Sequence, residues 1–285
     1  MDLRHLRCLV AIVDAGGFTG AAAELDTTQP SVSRTLAALE DELGVRLLRR
    51  TSREIVLTEA GERVLARARR VLAEVDDLVR DATAGGGRLR LGHAWAALGA
   101  HTVELQRRWA AEHPATELSL VRTNSPTGGL AEGSCDIAIV RTAPEHQVVD
   151  RRFAELVVGE EARACALAAD HPLARRRVLR LADLADHVVA IDRRTGTTSP
   201  QLWPPDRAPV FEDVHDVDDW LAVIAVGRCV GVTAESTTAQ YRRPGIVFRR
   251  LRDAPPVPVR ALWWRADPHP AVPAMVGLLA QVYRG

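Results

Sequence analysis

The chain has 285 residues, 47% hydrophobic and 26% charged, with 37 basic and 37 acidic side chains. That length supports two or more cores, and the absence of any apolar run of about eighteen residues argues against a transmembrane helix. Every Lys/Arg-type base is an arginine, and residues 1–88 hold thirteen Arg against fourteen Asp and Glu, so any nucleic-acid affinity has to come from local placement.

The N-terminus lacks the basic-then-apolar order of a signal peptide, because Asp2 and Arg4 interrupt it, and a cytoplasmic location is expected. Leu3, Leu6, Leu9 or Val10, and Val13 predict a first helix ending near Ala15-Gly16-Gly17. Phe18, Ala22 and Leu25 then give a short helix one apolar stripe. Asp26-Thr27-Thr28 is turn chemistry; Thr28 suits an N-cap, and Pro30 fits the first turn of the helix that follows. Val32, Leu36, Leu39 and Leu43 make that helix's inner face, leaving Ser31, Arg34, Thr35 and Ala38 outside. Short hydroxyls and an arginine beside a tight turn suit a helix-turn-helix whose second helix enters the DNA major groove. An amphipathic helical hairpin with a polar outer face has the same periodicity.

Val45 to Leu57 reads as a short hairpin turning around Thr51-Ser52-Arg53, with Arg46, Arg49, Arg50 and Arg53 clustered along it. Such arginines suit phosphates, which position a protein without reading sequence. Thr58 starts a long helix reaching about Ala84, with Glu59 and Glu62 in its first turn. Leu65, Ala68, Leu72, Val75 and Val79 repeat at three, four, three, four, the spacing of a coiled-coil seam, before Gly85-Gly86-Gly87.

The first sixty residues resemble the DNA-binding region of the LysR-type transcriptional regulators. The likeness runs from Met1-Asp2-Leu3-Arg4-His5-Leu6-Arg7 through Gly17-Phe18-Thr19, Ala22-Ala23 and Gln29-Pro30-Ser31-Val32-Ser33-Arg34. It continues in Leu43-Gly44-Val45, Leu47-Leu48 and Leu57-Thr58-Glu59-Ala60-Gly61. Gly20 and Leu48 depart from the family's usual choices. The resemblance implies a winged helix-turn-helix over 1–58, with Thr28, Gln29, Pro30, Ser31, Ser33, Arg34, Arg49, Arg50 and Arg53 facing DNA. It implies a linker and dimerisation helix over 59–87 and a cleft-bearing effector domain over 88–285. Its partners would be double-stranded promoter DNA, a small-molecule effector, RNA polymerase and a second copy, with dimers pairing into tetramers. No cofactor is implied.

From Arg88 strands alternate with helices, which predicts an α/β domain with a largely parallel sheet. Strands are expected at 89–92, 117–122, 136–140, 164–168, 187–191, 230–233 and 259–264. Helices are expected at 98–112, 216–226 and 272–282. His171-Pro172-Leu173, Leu181-Ala182-Asp183-Leu184 and Val230-Gly231-Val232 extend the resemblance to the family's two-lobed effector domain, itself similar to periplasmic binding proteins. It places one lobe at about 88–161 with 266–285 and the other at about 162–265. Carried over by position, the effector would meet Ala94, Trp95, Ala96, Thr123, Asn124, Ser125, Thr142, Thr195, Thr197, Thr198 and Thr233. Ala94-Trp95-Ala96-Ala97 stands where the family often has a hydroxyl, and Trp95 suits either stacking on a ligand or plain core.

Cys8, Cys135, Cys165 and Cys229 have no metal-binding spacing and read as small buried hydrophobes; a redox sensor would need an exposed thiol of low pKa. Asp216, Asp218 and Asp219 read as the start of a helix. No nucleophile elbow, phosphate loop or zinc helix appears, so an enzyme is not expected. A catalytic or transport binding protein is the competing class, and the helix-turn-helix disfavours it. A regulator with a closed cleft, controlled by partners, is a third.

Overall fold

The computed structural model describes residues 1–50, 55–84, 87–141 and 150–284, and for Arg50, Ile55, Asp77 and residues 80–84 the backbone alone. Arg53, Thr142, the turn at 51–52, the glycines at 85–86 and the side chain of Arg50 therefore lie outside the described residues. The chain divides into two compact units, 1–87 with 131–134, and 88–130 with 135–285.

Helices α1 (Leu3–Asp14), α2 (Phe18–Glu24) and α3 (Gln29–Leu43) enclose the core of the first unit. Asp2 caps α1 by accepting from the backbone N–H of Arg4 at 2.8 Å and of His5 at 3.3 Å. Leu9 and Ile12 of α1 meet Phe18 and Ala22 of α2 and Val32, Leu36 and Leu39 of α3. Leu43, expected on the buried face, is exposed, because α3 ends there and Gly44 turns the chain at φ +68°. Only glycine adopts that left-handed conformation without strain.

Strands β1 (Leu48–Arg50) and β2 (Ile55–Leu57) pair antiparallel, Leu48 opposite Leu57. Their position is fixed by Glu40, a buried acid near the end of α3. Its carboxylate accepts from Leu47 N at 2.7 Å, Leu48 N at 3.2 Å and Arg46 Nη1 at 2.6 Å. Burial alone would raise its pKa; these donors outweigh that and hold it below the ordinary carboxylate range. Arg46 is thereby paired with Glu40, its side chain otherwise exposed.

Helix α4 (Glu59–Ala84) begins against the same strand. Thr58 Oγ1 donates towards Arg46 O at 2.7 Å and accepts from Gly61 N at 2.9 Å. A Cβ on Gly61 would lie 2.0 Å from Leu47 O, so only glycine lets the helix approach this closely. Leu65, Ala66 and Ala68 are buried, while Leu72 and Val75 are half-buried and Val71, Leu78 and Val79 are exposed. The expected seam thus divides: its first part completes the helix-turn-helix core and its second stays open.

The second unit holds two sheets. The first contains β3 (Gly87–His93), β4 (Thr116–Arg122), β5 (Ile137–Arg141), β6 (Phe153–Glu161) and β13 (Val257–Trp264), in the order β4-β3-β5-β13-β6. Helices α5 (Thr102–Glu112) and α8 (Val272–Val282) supply Leu105, Trp109, Met275, Leu278 and Leu279 to its core. The second sheet contains β7 (Arg163–Ala168), β8 (Val178–Leu179), β9 (Val188–Ile191), β10 (Val210–Asp213), β11 (Val230–Ala234) and β12 (Ile246–Leu251), in the order β10-β9-β11-β7-β12-β8. Helix α6 (Val217–Ala225) packs Trp220, Leu221 and Ile224 with that sheet's residues, and α7 (Glu235–Gln240) follows β11.

Both sheets are mixed, not largely parallel: β13 runs antiparallel to β5 and β6, and β7 antiparallel to β11 and β12. Strand β13 pairs in the first sheet although it was expected in the second lobe, so the returning crossover is residues 252–256 and not a point near 265. The outgoing crossover is at residue 162.

Glu40→Ala is expected to leave the buried N–H groups of Leu47 and Leu48 unpaired, at about 1–3 kcal/mol each. Hydrogen exchange on the intact protein checks this: both amides should lose protection while the sheets of the second unit keep theirs. Unchanged protection at Leu47 and Leu48 would show that Glu40 does not anchor the wing.

Candidate functional sites: a recognition helix and an inter-lobe cleft

In the first unit the outer face of α3 is built at its N-terminus. Thr28 caps the helix, its Oγ1 accepting from Ser31 N at 3.4 Å, and Pro30 occupies the first turn, where no N–H is needed. Gln29 Nε2 donates to Ser33 Oγ at 3.4 Å, and Thr35 Oγ1 donates to Ser31 O at 3.0 Å. Thr28, Gln29, Pro30 and Arg34 are exposed, and Ser31 and Ser33 are half-buried. Arg49 is exposed on β1. Beside α3 runs a groove lined by Ser31, Arg34, Thr35 and Ala38, and by Arg4 and Arg7 of α1. The two α1 arginines were missed by sequence reasoning; their i, i+3 spacing on one helix was the available signal. Arg4 pairs with Asp2, whereas Arg7 and Arg34 form no ion pair with any described residue.

In the second unit the ends of strands from both lobes converge on a cleft. Of the carried-over positions, Ala94, Trp95, Ala96, Thr195, Thr197, Thr198 and Thr233 line it. Ile139, Arg141, Asp192, Trp220, Ser236 and Thr237 also line it. Asp192 and Ser236 were missed, although Asp192 directly follows the apolar strand 188–191, and strand ends are where α/β folds hold ligands. Thr123 and Ser125 are not part of the lining. Ser125 is spent on its own turn, its Oγ accepting from Gly129 N at 3.0 Å.

Asn124 and Trp95 reach across from the first lobe. Asn124 Nδ2 donates to His215 O and, at 3.3 Å, to Asp192 Oδ2; Trp95 Nε1 donates to the same oxygen at 3.3 Å. Thr195 Oγ1 lies 2.7 Å from both Asp192 Oδ2 and Asn124 Oδ1, so its single proton serves one at a time. Asp192 Oδ1 accepts from the backbone N–H of Arg194 at 2.8 Å and of Thr195 at 3.4 Å. The Trp95 ring meets Trp220 edge to face, centroids 5.3 Å apart. Trp95 is therefore partly cleft wall and partly a tie between lobes.

At the inner end the side chain of Arg141 is nearly buried. It donates to Ala96 O at 2.9 Å, Ala97 O at 2.7 Å, Glu161 Oε1 at 2.7 Å and Tyr283 Oη at 2.9 Å. Glu161 Oε2 accepts from Ser236 N at 3.1 Å. Burial opposes charge on both partners, yet each favours the other's ionised form: Glu161 is held below the usual carboxylate range and Arg141 above its ordinary value. Burial drives His93, at the end of β3, down to about 4, assisted by the charges of Arg141 and Arg122 but opposed by a hydrogen bond at Trp95, so it is neutral at pH 7. The Ser236 hydroxyl is buried and has no hydrogen-bond partner among the described residues. Among the described residues no cluster of three His, Cys, Asp or Glu is placed to hold a metal, and no helix is long and apolar enough to cross a membrane.

Residues 3–62 match the family described as bacterial regulatory helix-turn-helix proteins of the lysR family, and residues 82–284 match the LysR substrate binding domain. The chain is 35% identical over 225 residues to the HTH-type transcriptional regulator BudR of Raoultella terrigena, covering 76% of this chain and 72% of that protein. It is 36% identical over 265 residues to the small neutral protease regulatory protein of Streptomyces coelicolor, covering 90% and 79%. Among solved structures it is similar to CbnR, a LysR family transcriptional regulator, with a TM-score of 0.73 and 23% identity over the whole of both chains. It is also similar to full-length CbnR complexed with its target DNA, with a TM-score of 0.67 and 24% identity over 99% of this chain and all of that one.

The four cysteines are free and buried. Burial raises the thiol pKa of Cys8 and Cys165, and burial with the neighbouring Glu212 carboxylate raises Cys229 to about 11. These shifts suppress the thiolate, the form that attacks peroxides and alkylating agents. Native protein at pH 7 is expected to take up iodoacetamide at these three positions far more slowly than unfolded protein. Rapid labelling of Cys165 or Cys229 in the folded state would contradict this inert environment.

Proposed function

From the premise that this chain belongs to the LysR family of DNA-binding transcriptional regulators, which are not enzymes, we propose how its parts divide the work. Residues 1–58 read DNA, 59–87 join two copies, and 88–285 bind a small-molecule effector in the cleft. Two copies place two α3 helices in successive major grooves, where Ser31 and Arg34 meet base edges and Arg49 meets phosphate. The observation carrying this reading is the outward face of α3, polar, short-chained and centred on an arginine with no ion pair among the described residues.

Pairing through α4 is supported by its open stripe: Val71 is 44% exposed, Leu78 68% and Val79 57%. An exposed apolar stripe at i, i+7 and i+8 suits a partner helix. Pairs of dimers, contact with RNA polymerase and a cytoplasmic location complete the proposal. The effector acts by binding one arrangement of the lobes more tightly than another, which shifts how the dimers bend promoter DNA.

Nuclease protection on DNA flanking the protein's own gene, followed by genome-wide selection of bound fragments, tests the assignment. An interrupted dyad should be protected; the absence of any preferred site in both experiments would refute a sequence-specific reader. Arg34→Ala should cost about 1–3 kcal/mol on the operator and much less on random DNA. Equal losses on both would remove Arg34 from base reading. Arg49→Ala should weaken binding uniformly and flatten the salt dependence of log K by about one phosphate contact; an unchanged slope would place Arg49 away from the backbone.

A further inference from the structure

Charge in the cleft goes beyond the effector-binding reading on which this inference rests. Two charged side chains line it, Arg141 and Asp192. Arg141 is already matched by Glu161 in a buried ion pair at 2.7 Å. Asp192 is 2% exposed and forms no ion pair with any described residue: the five hydrogen bonds to its carboxylate are from neutral groups, two backbone N–H groups, an indole, an amide and a hydroxyl. Among the described lining residues Asp192 is thus the charge left without an ionic partner. Of the nearby bases, Arg122 is paired with Asp218 and bonded to Tyr241, while Arg194 is turned to the neutral carbonyl of His215 and does not line the cleft.

A carboxylate ligand entering here would meet Asp192 in a low-dielectric wall, where like charges repel far more strongly than in water. The loop 94–97 opposes an anion again, having two alanines and an indole where a hydroxyl donor would serve. The same features favour the opposite ligand. Trp95 and Trp220 present aromatic surface beside Asp192, the combination that holds organic cations by ring quadrupole and charge together. The buried hydroxyl of Ser236, which has no partner among the described residues, supplies an acceptor for an N–H group.

We propose that the cleft of this chain selects a small organic cation, an alkyl- or arylammonium ion, seated between Trp95, Trp220 and Asp192, and discriminates against carboxylates of the same size. Its ammonium competes with Trp95 and Asn124 for Asp192 Oδ2, the oxygen on which the two lobes are tied. Cation entry therefore acts directly on the contact that closes them.

The test uses the full-length protein and matched probes: benzylammonium, tetramethylammonium and butylammonium against benzoate and butyrate at fixed ionic strength. Melting temperature and tryptophan fluorescence are followed. At least one ammonium ion should raise the melting temperature and change the fluorescence saturably, with the carboxylates at least roughly tenfold weaker. Asp192→Asn should lower ammonium affinity by roughly tenfold or more. Trp95→Phe keeps the ring and the carboxylate but removes the competing N–H, so ammonium binding should persist or tighten; this variant keeps the test informative should Asp192→Asn not fold. Equal or tighter binding of a carboxylate, or no saturable binding by any ammonium ion, would overturn the proposal. Operator binding, measured separately by nuclease protection, distinguishes that failure from failure of the regulator reading.

Discussion

The buried pair between Arg141 and Glu161 is the contact on which the second unit's functional geometry depends. Arg141 ends β5, Glu161 ends β6, Ala96 and Ala97 belong to the loop after β3, and Tyr283 closes the chain after α8. Through Ser236 N the pair also holds the start of α7. One guanidinium thus gathers segments more than a hundred residues apart in sequence and sets the floor of the cleft at the point where the chain crosses between lobes. Burying two ions is costly, and such a pair is kept more readily for the arrangement it specifies than for net stability. Here the arrangement is the cleft itself. Because the pair neutralises itself, Asp192 is left to decide the sign of the site.

Glu40 plays a comparable part in the first unit. It converts the loose end of a recognition helix into the anchor for a two-stranded wing too small to hold itself. Gly61 and Thr58 add a second attachment at Leu47 and Arg46, just before β1. The end of the recognition helix, the entry to β1 and the start of α4 are thereby tied together.

How much of this the sequence disclosed follows from which forces act locally. The helix-turn-helix was legible because its stripe spacing, N-cap, first-turn proline and terminal glycine all lie within a few residues of the structure they determine. Strand β6 was not anticipated. A register shift at Val259 and Arg260 of its partner skips Val158 and destroys the alternation that marks a strand. Strand β13 was anticipated but assigned to the wrong lobe, since periodicity reports burial and not the identity of the neighbour. In the cleft, the positions carried over from the family brought in Trp95 and four threonines. Asp192 was hidden because its meaning comes from what Arg141 pairs with, a contact of high sequence separation. The thiols were legible as buried, since a short apolar neighbourhood suffices to predict that.

The two crossovers have a consequence for the ancestry and malleability of the fold. Glu161 lies directly opposite Val257 in the first sheet, and Ala164 opposite Arg250 in the second. The chain therefore leaves the first lobe and returns to it at one spot, along two neighbouring antiparallel strands. The second lobe is an insertion into a hairpin, a guest whose entry and exit are side by side. A host so arranged needs only a short turn to close the gap. It can exchange the guest, and with it Asp192, Thr195 and Trp220, without disturbing the sheet that receives it. Half of the cleft is in this sense a replaceable cassette, so lineages sharing this topology can acquire new chemical preferences by altering one lobe while the other half of the cleft stays fixed.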